Sequence, residues 1–230
     1  MLRAAPLLLL FLAAPAHADE RRYMVTGFDR IRVDGPYEVE VTSGGAPGAV
    51  ASGDARALDA VSVRVQGGTL IVGRGVNAWG GFPGDRPTLP RIVIQAADLR
   101  GAAIAGGGRL RIDRMRGLAV SLDLTGAGAI DVATIDADRL QANLVGTGSL
   151  RVAGRVLRAR FQSDGAGTID AQGLDARAID VAAQSAGDAR FSASETATVT
   201  ATGSGSVSVT GGAHCTVRGP GRVDCAGARD

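Results

Sequence analysis

Lysine is missing from this chain: all 25 basic side chains are arginine, which removes lysine as a general base. Histidine is nearly as scarce. His17 falls in the N-terminal leader, so any histidine-based triad would have to use His214, which lies outside the core by alternation and reads as an incidental surface residue. Aromatic residues make up only 3% of the chain, so the core must be built from Val, Ile, Leu and Ala in a thin layer. A long, narrow solenoid does that better than a globule. Neither sign of charge dominates: 25 basic against 23 acidic residues argues against a polyanion binder of the usual basic-patch kind, and no nucleic-acid partner is expected. Two cysteines with no Cys-x-x-Cys spacing offer zinc no credible site, and no metal or cofactor is expected.

Long apolar runs are also lacking. The one apolar stretch, Ala4 to Ala14, is too short for a stable membrane anchor, and no later segment approaches the roughly 18 to 20 residues a spanning helix needs. Preceded by Met1-Leu2-Arg3 and followed by Ala16-His17-Ala18, it reads instead as a Sec signal peptide over residues 1–18. A bacterial periplasmic or secreted protein with no membrane span is the expectation. Residues 19–230 then form a single domain, with irregular early coils over 19–99 and regular repeats over 100–230.

What the chain has in abundance is glycine, 34 residues, placed with a period. A glycine-rich turn followed by an apolar-x-apolar triplet recurs at Gly106-Gly107-Gly108, Gly126-Ala127-Gly128, Gly146-Thr147-Gly148, Gly165-Ala166-Gly167, Ser185-Ala186-Gly187, Gly203-Ser204-Gly205 and Gly219-Pro220-Gly221. The third residues lie 20, 20, 19, 20, 18 and 16 apart. That spacing fits one coil of a parallel β-helix, whose repeats bury an apolar face only by stacking. Alternation places Leu122/Leu124, Ala142/Leu144, Phe161/Ser163, Val181/Ala183, Val199/Ala201 and Cys215/Val217 inward before the turns. After the turns the inward pairs run from Leu110/Ile112 to Val223/Cys225. Large and small side chains compensate between coils, with Phe161 falling next to Ala142 and Phe191 next to Ala171.

The outward residue between each post-turn pair reads Arg111, Asp131, Arg151, Asp170, Arg190, Ser208 and Asp224. Its first five members alternate in sign. In parallel coils about 4.8 Å apart, this makes a charge ladder that favours the in-register stack over a slipped one. Upstream, the Gly/Pro-rich stretch Gly73 to Pro90 carries Trp79 and Phe82, read either as a ligand-contacting loop or as a cover for the open end of the solenoid.

The opening Phe28-x-x-Ile31-x-Val33-x-Gly35, the segment Gly68-Thr69-Leu70-Ile71-Val72 and the repeated x-Gly-x-Gly-x-[Ile/Leu]-[Asp/Arg] resemble the head GIN domain family of autotransporter adhesins over nearly the whole mature chain. The resemblance implies a right-handed parallel β-helix on an exported bacterial protein.

The nine-residue Gly-Gly-x-Gly-x-Asp unit of calcium-binding solenoids is not matched, because the period here is about 20 and the acid comes one position later. Parallel β-helices also host polysaccharide lyases and hydrolases, and Asp131 and Asp170 are the acids nearest such a pattern. Each has an arginine neighbour in the column, which suits a structural ladder better than a general acid. The reading is a non-enzymatic, adhesin-like module that binds a protein or glycan at the envelope or cell surface, with a carbohydrate-active enzyme as the alternative. Cys215 and Cys225 both fall on inward positions flanking the last turn, symmetric about Pro220. In an oxidising compartment they are expected to form a disulfide that ties the terminal coil.

Overall fold

Alternation becomes strand wherever it is read. In Ala129–Gly146 the side chains of Leu140, Ala142 and Leu144 are buried while Gln141 and Val145 face solvent, as a two-residue period on a sheet with one covered face dictates. The computed structural model describes residues 19–75 and 89–227. Among them, seventeen strands join in one continuous sheet. It is wound into a parallel β-helix with coils of about 20 residues.

Each regular coil has three faces. In the coil that starts at Ala129, the first face covers 129–132, the second 135–137 and the third 139–146. Neighbouring coils pair in parallel and in register, so that Ile130 meets Leu150, and Leu150 meets Ile169. The inward pairs are buried throughout, with two exceptions in the last coil. Val217 and Val223 are half-buried, because no further coil among the described residues covers them. Phe161 lies over Ala142 and Phe191 over Ala171, and the two rings meet with centroids 4.7 Å apart. Two large rings next to two methyl groups keep the interior filled.

The turns require glycine for two reasons at once. Gly106, Gly126, Gly146 and Gly165 have φ between +114° and +120°, a region that disfavours any Cβ. The coils also touch there: a Cβ on Gly146 would stand 2.4 Å from the carbonyl oxygen of Gly126. A second use of glycine marks a register change. The coil that starts at Ser149 is one residue short of its predecessor, Gly154 pairs with Ile135, and its φ of +124° absorbs the difference.

The N-terminal segment departs from a simple run of early coils. Arg30–Asp34 pairs with Gly101–Gly106 on one side and with Thr69–Arg74 on the other; Glu38–Ser43 likewise lies between Arg109–Ile112 and Arg91–Ala96. Thr69–Arg74 and Arg91–Ala96 therefore stack outside Arg30–Asp34 and Glu38–Ser43, although they come later in the chain. Beyond it the pairing turns antiparallel. Val61–Gln66 folds back on Thr69–Arg74, Gly48–Gly53 lies on Arg91–Ala96, and Asp19–Tyr23 covers Gly48–Gly53. The short helix Ala55–Asp59, capped by the Asp54 side chain, buries Ala57 and Leu58. Arg21 ties the outer strand to this helix through Asp59 at 2.8 Å and the Leu58 carbonyl at 2.9 Å. Antiparallel return strands close one end, where a parallel coil alone would leave its apolar interior and a flat edge open.

Candidate functional site

On the first face the register stacks Arg111, Asp131, Arg151, Asp170 and Arg190 one above another, and continues to Ser208 and Asp224. The column also extends the other way, to Glu40 beneath Arg111. Within the five-residue alternation only Arg151 and Asp170 close to ion-pair distance, 3.5 Å, and both are exposed. A pair of this kind is worth about 0 to 1 kcal/mol. Asp131 and Asp170 lie two coils apart, roughly 10 Å, with Arg151 between them. Close by, Asp188 is held below the ordinary carboxylate range, chiefly because the Ser206 hydroxyl and then its backbone N–H donate to it.

A second alternating column runs along the second face. Arg116 pairs with Asp136, Asp136 with Arg155, and Arg155 with Asp175. Arg116 also reaches Asp98 at 3.5 Å, and Arg155 reaches Asp175 at 3.6 Å. The sequence reading passed over this column, although its members recur at the same period of about 20 residues. The first-face column is legible because it lies three residues after the last glycine of each turn; the second sits beyond a corner with no such landmark.

The third face follows a different rule. Arg139 pairs directly with Arg158, like charge on like charge, and Arg160 lies two residues further along the same strand and beside Gln141. Among the described residues none of these three arginines has an ion-pair partner. They line an open depression of about 700 Å³ whose wall includes Asp29, Arg30, Ser121, Asp180 and Thr198. At one end Arg100 is neutralised by Asp29 at 2.8 Å; at the other, Asp180 sits one coil beyond Arg160. Gly101 makes room for Arg30, since a Cβ there would come 3.0 Å from the Arg30 Cγ. A smaller depression of about 260 Å³ lies along the turns, between Pro36, Pro90, Gly107 and Gly128.

Cys215 and Cys225 form a disulfide, with Cα atoms 6.6 Å apart, across the last turn. Among the described residues no group of His, Cys, Asp and Glu is placed to hold a metal, and no helix is long and apolar enough to cross a membrane. His214 is exposed at the start of His214–Arg218, the last strand but one among the described residues. Trp79 and Phe82, as well as residues 1–18, the expected signal peptide, lie outside the described residues.

The family model described as "putative auto-transporter adhesin, head GIN domain" matches residues 27–213. The chain belongs to the head GIN domain family. No protein of curated function matches this GIN domain. Among solved structures, a "putative adhesin" from Bacteroides fragilis superposes with a TM-score of 0.81 at 22% identity, covering 91% of this chain and 97% of that one. A "putative lipid binding protein" from Parabacteroides distasonis gives 0.66 at 20% identity over 94% and 96% of the two chains. A "putative adhesin" from Parabacteroides merdae gives 0.63 at 17% over 92% and 97%. At these identities the likeness is one of fold.

Proposed function

We propose that this GIN domain is a non-enzymatic, exported binding module that presents the third face of its solenoid to a protein or glycan at the cell envelope or surface. The observation that carries the reading is the break in charge order. Two faces alternate Arg with Asp from coil to coil, whereas on the third Arg139 faces Arg158 with no acid as a register neighbour of either, and Arg160 beside them borders the same open depression. Like charges directly opposite each other lower stability, so their retention at one place marks a surface with a task other than holding the fold. The family description and the two neighbours named as adhesins support a binding role. The neighbour named for lipid binding suggests a different ligand. Here Arg139, Arg158 and Arg160 border the depression beside Ala119, Leu140, Ala159, Ala178 and Ile179, and the guanidinium groups favour a ligand that carries negative charge. Export is supported by the disulfide, which persists in oxidising compartments.

Fluorescently labelled mature chain should bind source cells saturably, be displaced by unlabelled chain, and release no reducing ends or unsaturated products from acidic polysaccharide. Absence of saturable binding sinks the proposal. So does turnover that disappears in Asp131→Asn or Asp170→Asn while the fold is kept, because that is the behaviour of a carbohydrate-active enzyme.

A further inference from the structure

The binding reading leaves the ligand class open, and the third-face depression narrows it. Its length is the first clue. The outward column that borders it runs through Arg30, Gly101, Ser121, Gln141, Arg160, Asp180 and Thr198, each paired with the next. Six coil steps of about 4.8 Å span roughly 29 Å. An open trough of that length, running across the coils, suits an extended chain better than a compact small molecule.

Its chemistry is the second clue. Arg30, Arg139, Arg158 and Arg160 supply guanidinium groups without ion-pair partners among the described residues, and the planar fork of arginine matches a carboxylate in two-point contact. Between and beyond them stand neutral groups, Ser121, Gln141, Thr196 and Thr198, and two acids, Asp29 and Asp180. A DNA strand has neither hydroxyl nor other donor along its sugar-phosphate backbone, so nothing in that backbone would answer Asp180. No Trp, Tyr or Phe lines the trough to stack a base. A polymer with spaced carboxylates and many hydroxyls fits both parts: its acids meet arginines, and its hydroxyls donate to Asp180 and exchange hydrogen bonds with Ser, Thr and Gln. The small exposed methyl of Ala119, next to Arg139 in the register, leaves room for a sugar ring against the strand.

We infer that the third face binds a linear, carboxylate-bearing polysaccharide, with Arg139 and Arg158 holding one carboxylate between adjacent coils and Arg160 a neighbouring one. This rests on the binding role proposed above. Bound carboxylate also relieves the repulsion between Arg139 and Arg158, which couples ligand binding to stability: the free protein carries a strained charge pair, and the complex does not.

The test is affinity electrophoresis and calorimetry of the mature chain with polygalacturonate, neutral dextran and single-stranded DNA at about 0.15 M salt. Polygalacturonate should retard the protein and dextran should not. Arg139→Gln with Arg158→Gln should weaken polygalacturonate binding about ten-fold or more, while the thermal midpoint stays level or rises. Arg116→Gln with Arg155→Gln, which removes the same two charges from the second face, should leave binding unchanged. Equal weakening by that pair overturns the site, since it would reduce the effect to net charge. DNA bound more tightly than polygalacturonate overturns the ligand class. If polygalacturonate is not bound but cell binding persists and is lost with Arg139→Gln and Arg158→Gln, the polysaccharide inference fails and the binding role stands. Loss of both observations in the wild-type chain removes the binding role itself.

Discussion

At the scale of single residues, the turn glycines with positive φ that stack on a neighbouring coil tolerate no side chain without strain. Gly146 combines φ +120° with a neighbouring coil whose carbonyl oxygen occupies the space a Cβ would need. Each alone is costly: an unfavourable φ for a non-glycine residue costs about 1 to 3 kcal/mol, and the clash can be relieved only by moving backbone. We expect Gly146→Ala to lower stability by about 2 to 4 kcal/mol in equilibrium denaturation. The same substitution at Gly107, where a Cβ meets nothing within contact, should change it by less than about 1 kcal/mol. Equal effects at the two positions would show that the stacked turn is not the constraint.

The elements of this fold are columns, because each strand contacts chiefly the coils before and after it. Alternating charge along the first and second faces acts on register: a one-coil slip of Arg151 would set it against Arg111 or Arg190 instead of Asp131 and Asp170. Since the Arg151–Asp170 pair is solvent-exposed, the direct contact contributes little, and the effect resides in the order. Arg151→Asp places three acids in succession and should destabilise by around 1 kcal/mol at low salt, with the loss shrinking as salt is raised. A midpoint whose shift does not depend on salt would remove electrostatics as the cause. Arg155→Asp on the second face should behave in the same way, flanked by Asp136 and Asp175.

For the whole molecule, the two ends matter most, since a solenoid can fray only where stacking stops. One end is covered by antiparallel strands and a short helix. At the other, His214–Arg218 and Arg222–Cys225 are the last described strands, and the Cys215–Cys225 disulfide joins them. A bond between residues separated by 10 positions constrains the unfolded chain by about 2 to 3 kcal/mol in the entropic model. Protein from an oxidising compartment should show no free thiol on denaturation without reductant. Reduction should lower the unfolding midpoint and increase amide exchange first in the terminal coil. Two titratable thiols in exported protein would contradict the pairing.

Much of this architecture was legible because a solenoid writes its geometry into the chain with a fixed period. Spacing of the glycine turns determined the coil length, strand alternation determined which side chains face inward, and the two inward cysteines flanking Pro220 determined a feasible disulfide. Stacking order in the first 99 residues was not legible. Arg30–Asp34 and Thr69–Arg74 have the alternation of any coil strand, and only long-range pairing decides that the later segment lies outside the earlier one. The second-face column was present in the period but lacked a glycine landmark. Near-neutral composition also concealed the third-face arginines: net charge sums over the surface, while the register alternates Arg with Asp on two faces and sets Arg139 against Arg158, with Arg160 close by, on the third. Local periodicity is a property of sequence, whereas the convergence of charges from different coils exists only once the register has brought them side by side.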